Sequence, residues 1–265
     1  GGSGHPAEDG QSYQAVNRPF AAYFELKPGW NEIVVHVANH EFPASGGINE
    51  SIFLGHAAQI AALRDKATAH DWIKVTAFLI MGLYFIGLYT QRKDDTSLIA
   101  FGIACVFTAV FTSSRGERVM FDVFGQIPFP LFLRIQLASA VVAGVGFLLF
   151  VYAAFRPYCS KRLVRSGTVA GAVLTVLVIG FVPQIATGLF RQIVTTFSTF
   201  PLLYAVYVFV LAAFRKVEGS LYLAIAAVAL NVYVLVQNAN VYFAVPVNLL
   251  PPFEPFVLLL MLALL

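Results

Sequence analysis

Seven apolar runs separated by short polar loops occupy the chain from Trp72 to its last residue. They are Trp72–Tyr89, Leu98–Thr112, Leu131–Phe155, Gly167–Val182, Ile193–Phe214, Ser220–Val236 and Phe253–Leu265. Their lengths are 18, 15, 25, 16, 22, 17 and 13 residues. Crossing about 30 Å of hydrocarbon takes roughly 20 helical residues, so the shorter runs must borrow a turn from their flanks. The last covers only about 20 Å at 1.5 Å per residue and reads as a truncated seventh span rather than a re-entrant stub. Of the 265 residues 58% are apolar and 12% charged, where a soluble domain carries about a quarter charged. Mean hydropathy is +0.76. These values exclude a disordered chain, a coiled coil and a soluble nucleic-acid-binding module. The lipid bilayer is the expected partner; nucleic acid is not.

The charge is split along the chain. Through Val75 there are five Lys and Arg against eight Asp and Glu, and from Thr76 on twelve against six. The first, third and fifth loops hold Arg92 and Lys93, then Arg156, Lys161, Arg162 and Arg165, then Arg215 and Lys216. The other two loops, with an adjacent helix start, hold Arg115, Arg118, Arg134 and Arg191. The positive-inside rule puts the richer set in the cytoplasm and the N-terminal segment outside. Arg64, Lys66 and Lys74 flank the first span on the outer side and weigh against this count.

Ahead of the spans, residues 1–20 read as a flexible lead. Residues 21–55 have strand character: Ile33, Val35 and Val37 alternate with Val34 and His36, a period of two. Lys27-Pro28-Gly29-Trp30 is a turn signal, because proline presets φ at the second turn position and glycine accepts positive φ at the third. A second break falls at Pro43–Gly47, and Ile52–Leu54 is a short third strand. Three strands are too few to fold alone, so they are expected to close a β-domain lying upstream. Without an initiator Met or a signal-peptide pattern, the chain is read as a fragment. Residues 56–70 are a helical connector, and 71–265 the membrane domain.

Residues able to carry chemistry are sparse at membrane depth. His5, His36, His40, His56 and His70 all precede the spans, and Asp94, Asp95, Glu117, Asp122, Glu218 and Glu254 lie in loops or at helix ends. An intramembrane protease or proton-coupled pump needs such groups at mid-depth. His36 and His40 start on an apparent strand, where a spacing of four does not bring the rings together. Hence no catalytic, metal or cofactor residue is assigned in this chain, and the ligand-binding residues are unknown. Cys105 reads as core and Cys159 as a loop thiol, with lipidation beside Lys161 and Arg162 as the lesser alternative. Arg134, Gln136, Gln184, Arg191, Asn231, Gln237, Asn238 and Asn240 read as interhelical hydrogen-bonding groups; the sharper alternative is a polar lining that feels movement of the outer domain. Gly167-x-x-x-Gly171 and Ala140-x-x-x-Gly144 permit close helix packing. Tyr84, Tyr89, Tyr152 and Tyr158 fit an interfacial belt.

Three stretches resemble a known family. Lys27-Pro28-Gly29-Trp30-Asn31-Glu32-Ile33-Val34-Val35-His36-Val37-Ala38-Asn39 resembles the "G-x-N-x-I-x-V-x-V" strands of a jelly-roll sensor, and Gly46-Gly47-Ile48 with Leu54-Gly55 its closing strands. Gly82–Tyr89 followed by Arg92-Lys93-Asp94-Asp95 resembles a first span and its cytoplasmic turn. Arg134 after Pro130 sits where the family often opens its third span with arginine. The family is the bacterial seven-transmembrane receptors with diverse intracellular signalling modules, 7TMR-DISM. The resemblance implies an all-α membrane protein, a seven-transmembrane helix bundle with its seventh helix truncated, preceded by the last strands of an extracellular β-sandwich. It implies a multi-pass protein of the bacterial inner membrane. It further implies a receptor that relays an extracellular small-molecule signal, by analogy a carbohydrate, to a cytoplasmic output domain absent from this chain. In the family that output is a histidine kinase, a nucleotide cyclase or a phosphatase. A homodimer would suit a receptor, although no span spells out a dimer seam. The alternative is a transporter or channel using Gln184 and the Asn231–Asn240 cluster, for which no internal repeat speaks. An intramembrane enzyme and a purely structural component complete the alternatives.

Overall fold

The computed structural model describes residues 4–8, 12, 14–16, 18–40, 52–180, 188–217 and 219–243. Its helices are α1 (Ala57–Gln91), α2 (Thr96–Ser113), α3 (Met120–Phe124), α4 (Phe129–Ala154), α5 (Lys161–Gly180), α6 (Gly188–Phe214) and α7 (Ser220–Phe243). Four of the seven expected spans fall inside these helices; Leu131–Phe155 ends one residue beyond α4, and Gly167–Val182 matches α5 as far as Gly180, where the described residues stop. Five helices (α1, α2, α4, α5 and α6) are long and apolar enough to cross a membrane, and α7 contributes a shorter apolar stretch, Ser220–Val232. The expected span Phe253–Leu265, Gln184 and the Pro43–Gly47 break lie outside the described residues.

Connector and first span are a single helix. At 1.5 Å per residue, the 35 residues of α1 reach about 52 Å, well beyond a hydrocarbon layer. Among the described residues the segment expected to form strands shows no pairing, and the only β bridge is His5 with Gln14. Ile33, Val34 and Val35 are all about half exposed or more. Alternating residues gain from a strand only when a neighbour covers one face, and too few strands are present here to supply one. The turn itself is present. Gly29 has φ +99°, and Asn31 clamps it: Oδ1 accepts from the Lys27 amide at 3.0 Å, while Nδ2 donates to the carbonyls of Lys27 (2.9 Å) and Gly29 (3.0 Å).

α4 is the hub. It packs on α2, α5 and α6; α1 packs on α2, and α7 on α6. An aromatic series crosses the core, with Phe85 on Phe101 and Phe101 on Phe150, each pair at 4.8 Å between ring centres. Glycines set the closest approaches. A Cβ on Gly82 would lie 2.7 Å from Val106 Cγ2 and 3.0 Å from the Gly102 carbonyl; one on Gly102 would lie 3.0 Å from the Gly82 carbonyl. Gly167 and Gly171, the pair expected to pack, are buried against Leu148 and Val145 of α4. α3 was not anticipated. It tucks Met120 and Phe121 into the bundle, Phe121 stacking on Phe132 at 5.2 Å.

Candidate functional site

The richest set of polar contacts gathers at the end of the bundle that holds the α2–α3 turn. Asp71 on α1 is buried. Its Oδ2 accepts from the Glu117 amide at 2.8 Å, and its Oδ1 lies 2.8 Å from Lys74 Nζ. The turn wraps this carboxylate through Gly116, whose φ is +58° and whose missing Cβ would collide with Asp71 Oδ2. A residue with a side chain would be strained there as well as blocked. Arg118 also takes positive φ, at 57°. Gln136 of α4 donates to the Ser114 carbonyl at 3.0 Å, so the turn is held from two helices.

The segment ahead of α1 is tied to the same place. Arg64 Nε lies 3.6 Å from Glu117 Oε2, and its Nη2 donates to the Pro19 carbonyl at 3.4 Å. Arg18 Nη2 meets Asp122 Oδ1 of α3 at 2.6 Å. Arg64 and Lys74, which weighed against the loop-charge count, thus each face an acid. The junction joins residues 18–19, α1, the α2–α3 turn, α3 and α4. Chemically it is a network of charge-assisted hydrogen bonds, suited to holding elements in register.

A second polar assembly lies within α6 and α7. Pro201 is buried in the interior of α6, where a proline removes one amide and crowds the carbonyl four residues back. It is spanned by a continuous helix. Around it Ser198 and Thr199 donate back to the Val194 and Thr195 carbonyls at 2.9 and 2.8 Å. Asn231 of α7 donates across to the Leu202 carbonyl at 3.0 Å and to its own Ala227 carbonyl at 2.8 Å. Three residues beyond Pro201, Tyr204 accepts from the Ser160 amide at 2.8 Å and so ties α6 to the α4–α5 turn.

Of the polar residues singled out from sequence, Asn231 makes an interhelical bond and Gln136 ties α4 to the α2–α3 turn. Arg134 is half-buried on α4 with its Nε unpartnered among the described residues, and Arg191 is half-buried in the first turn of α6. The side chains of Gln237, Asn238 and Asn240 lie outside the described set. His36 is exposed and His40 Nε2 is 3.1 Å from the Ala7 carbonyl. Among the described residues no three His, Cys, Asp or Glu side chains group as metal ligands. Asp71 and Tyr204 were missed, because their partners lie far off in sequence.

Cys105 is buried in the core. Cys159 is half-buried, its thiol donating to the Val151 carbonyl at 3.6 Å. Burial pushes this thiol above its ordinary range, against a smaller opposing contribution from a hydrogen bond with Tyr204. At a given pH it therefore holds less thiolate, the form that reacts. At pH 8 Cys159 should react with N-ethylmaleimide at least fivefold more slowly than a cysteine placed at exposed Lys93, followed by peptide mass spectrometry; equal rates would show an open thiol.

The family model described as 7TM diverse intracellular signalling matches residues 68–265. No curated protein matches the chain, and no solved structure does.

Proposed function

Because the chain belongs to the 7TM diverse intracellular signalling family, we propose that it is the membrane-embedded relay of a sensory receptor. A small-molecule ligand, in the carbohydrate class, binds a β-domain outside the bacterial inner membrane, of which residues 21–55 form the end. A cytoplasmic output domain or protein receives the signal. The family match carries this reading. Loop charge supports the orientation, with the N-terminal segment outside. The polar junction supports a coupling role, since it fastens residues 18–19 to α1 and α3. A ligand shifts such an equilibrium only through its differential affinity for the two arrangements, and about 1–3 kcal/mol is typical of such coupling.

The transporter alternative is weakened at Asn231, whose amide nitrogen joins α7 to α6. The test uses the full gene product in its own cells. Removing residues 1–55 should abolish the ligand-dependent change in cytoplasmic phosphotransfer or cyclic-nucleotide level. An unchanged response would overturn the reading, and ligand flux into liposomes containing the full protein would replace it with transport.

A further inference from the structure

The cations at the two ends of the bundle are treated differently. At the junction Arg18, Arg64 and Lys74 each face an acid. At the opposite end Arg162 and Arg165 on α5 are exposed, and neither has an ion-pair partner among the described residues. They head an open trough of about 460 Å³ along the flank of α5, completed by Ser166, Val169 and Ala170. Past this point the same flank stays apolar and exposed through Val173, Val176 and Ile179. From Val169 to Ile179 is about 15 Å at 1.5 Å per residue, half of a hydrocarbon layer of about 30 Å.

We propose that this flank of α5 is a binding site for an anionic phospholipid. Positions 162 and 165 stand three apart, on one helix face. Their guanidinium groups can grip a phosphate through paired N–H donors, in the manner that makes arginine a phosphate binder. The acyl chains lie along Val169, Ala170, Val173 and Val176, where small and β-branched side chains leave a shallow bed. The charge of the head and the length of the apolar bed fit one ligand class that has both. A soluble phosphate would use only the upper half, and a zwitterionic lipid would forgo the net charge. Basic pockets on transmembrane helices recognise such headgroups elsewhere. The leaflet occupied is the cytoplasmic one if the orientation proposed above holds; the site itself does not depend on it.

The full chain, purified in neutral detergent, is titrated with dioleoyl phosphatidylglycerol, dioleoyl phosphatidylcholine and inorganic phosphate. Bound lipid is counted by native mass spectrometry. Phosphatidylglycerol should give a discrete adduct that the other two do not. R162Q/R165Q should lower its occupancy at least fivefold, whereas R92Q/K93Q, which removes equal charge from another turn, should leave it unchanged. Ala170→Trp keeps both cations and fills the bed, and should weaken binding severalfold. All five positions are exposed, and circular dichroism verifies that each variant is folded. No adduct on the parent chain, equal loss in both charge variants, or retention by R162Q/R165Q would overturn the proposal. So would inorganic phosphate competing the lipid off at millimolar concentration, which would assign the site to a soluble anion.

Discussion

Asp71→Ala should destabilise the bundle by about 1.5–3 kcal/mol, the range for hydrogen bonds to charged groups. The variant removes the acceptor of the Glu117 amide and the carboxylate that faces Lys74, and empties the space that Gly116 was shaped to surround. Asp71→Asn should cost less than half as much, since an amide oxygen can still accept from Glu117. Thermal unfolding in detergent reads the difference. Proteolysis at Arg115 and Arg118 gives a second readout, because a released turn is cut sooner. Should Asp71→Ala leave both unchanged, the turn holds its shape without the carboxylate and the junction is not a coupling element.

Gly82→Leu is the second large effect. Even the first carbon of a side chain would lie 3.0 Å from the Gly102 carbonyl and the Val106 amide, which are backbone and cannot rotate away. α1 would have to separate from α2, the helix it packs on. Overpacking of this kind costs about 1–3 kcal/mol, and the upper half of that range is expected for a side chain as long as leucine. Gly87, also on α1, has nothing within 4 Å of its would-be Cβ. Gly87→Ala should therefore stabilise slightly, by up to about 1 kcal/mol through helix propensity. A Gly82→Leu variant that melts with the parent would show that α1 and α2 do not depend on this contact.

The spans were legible because a membrane helix declares itself within one window of sequence: some twenty apolar residues leave little else to form. The Gly167–Gly171 pair was legible for a related reason, since both residues lie on one helix at packing distance. Gly82 and Gly102 are single residues on different helices, and no spacing rule connects them. The junction was hidden in the same way. Asp71 meets an amide 46 positions later, and its importance depends on a turn that Gly116 alone can make. Lys74 and Arg64 were visible only as charges in a topology count, because a count has no geometry. Pro201 sits inside an apolar run that stays helical, although local propensity disfavours proline there. The turns on either side of it are tied by the hydroxyls of Ser198 and Thr199 and by an amide from a neighbouring helix. The strand pattern of residues 33–37 was real as a pattern, yet a strand is completed by its neighbours and cannot be established by one segment.

The unbroken length of α1 has a mechanical consequence. From Ala57 to Gly82 the helix measures about 38 Å, and from Gly82 to Gln91 about 14 Å. At Gly82 the backbones of α1 and α2 approach closely, which makes it a fulcrum for a stiff lever with unequal arms. A sideways push of about 3 Å on the long arm arrives as about 1 Å at the Arg92–Asp95 turn. Such gearing reduces travel and multiplies force.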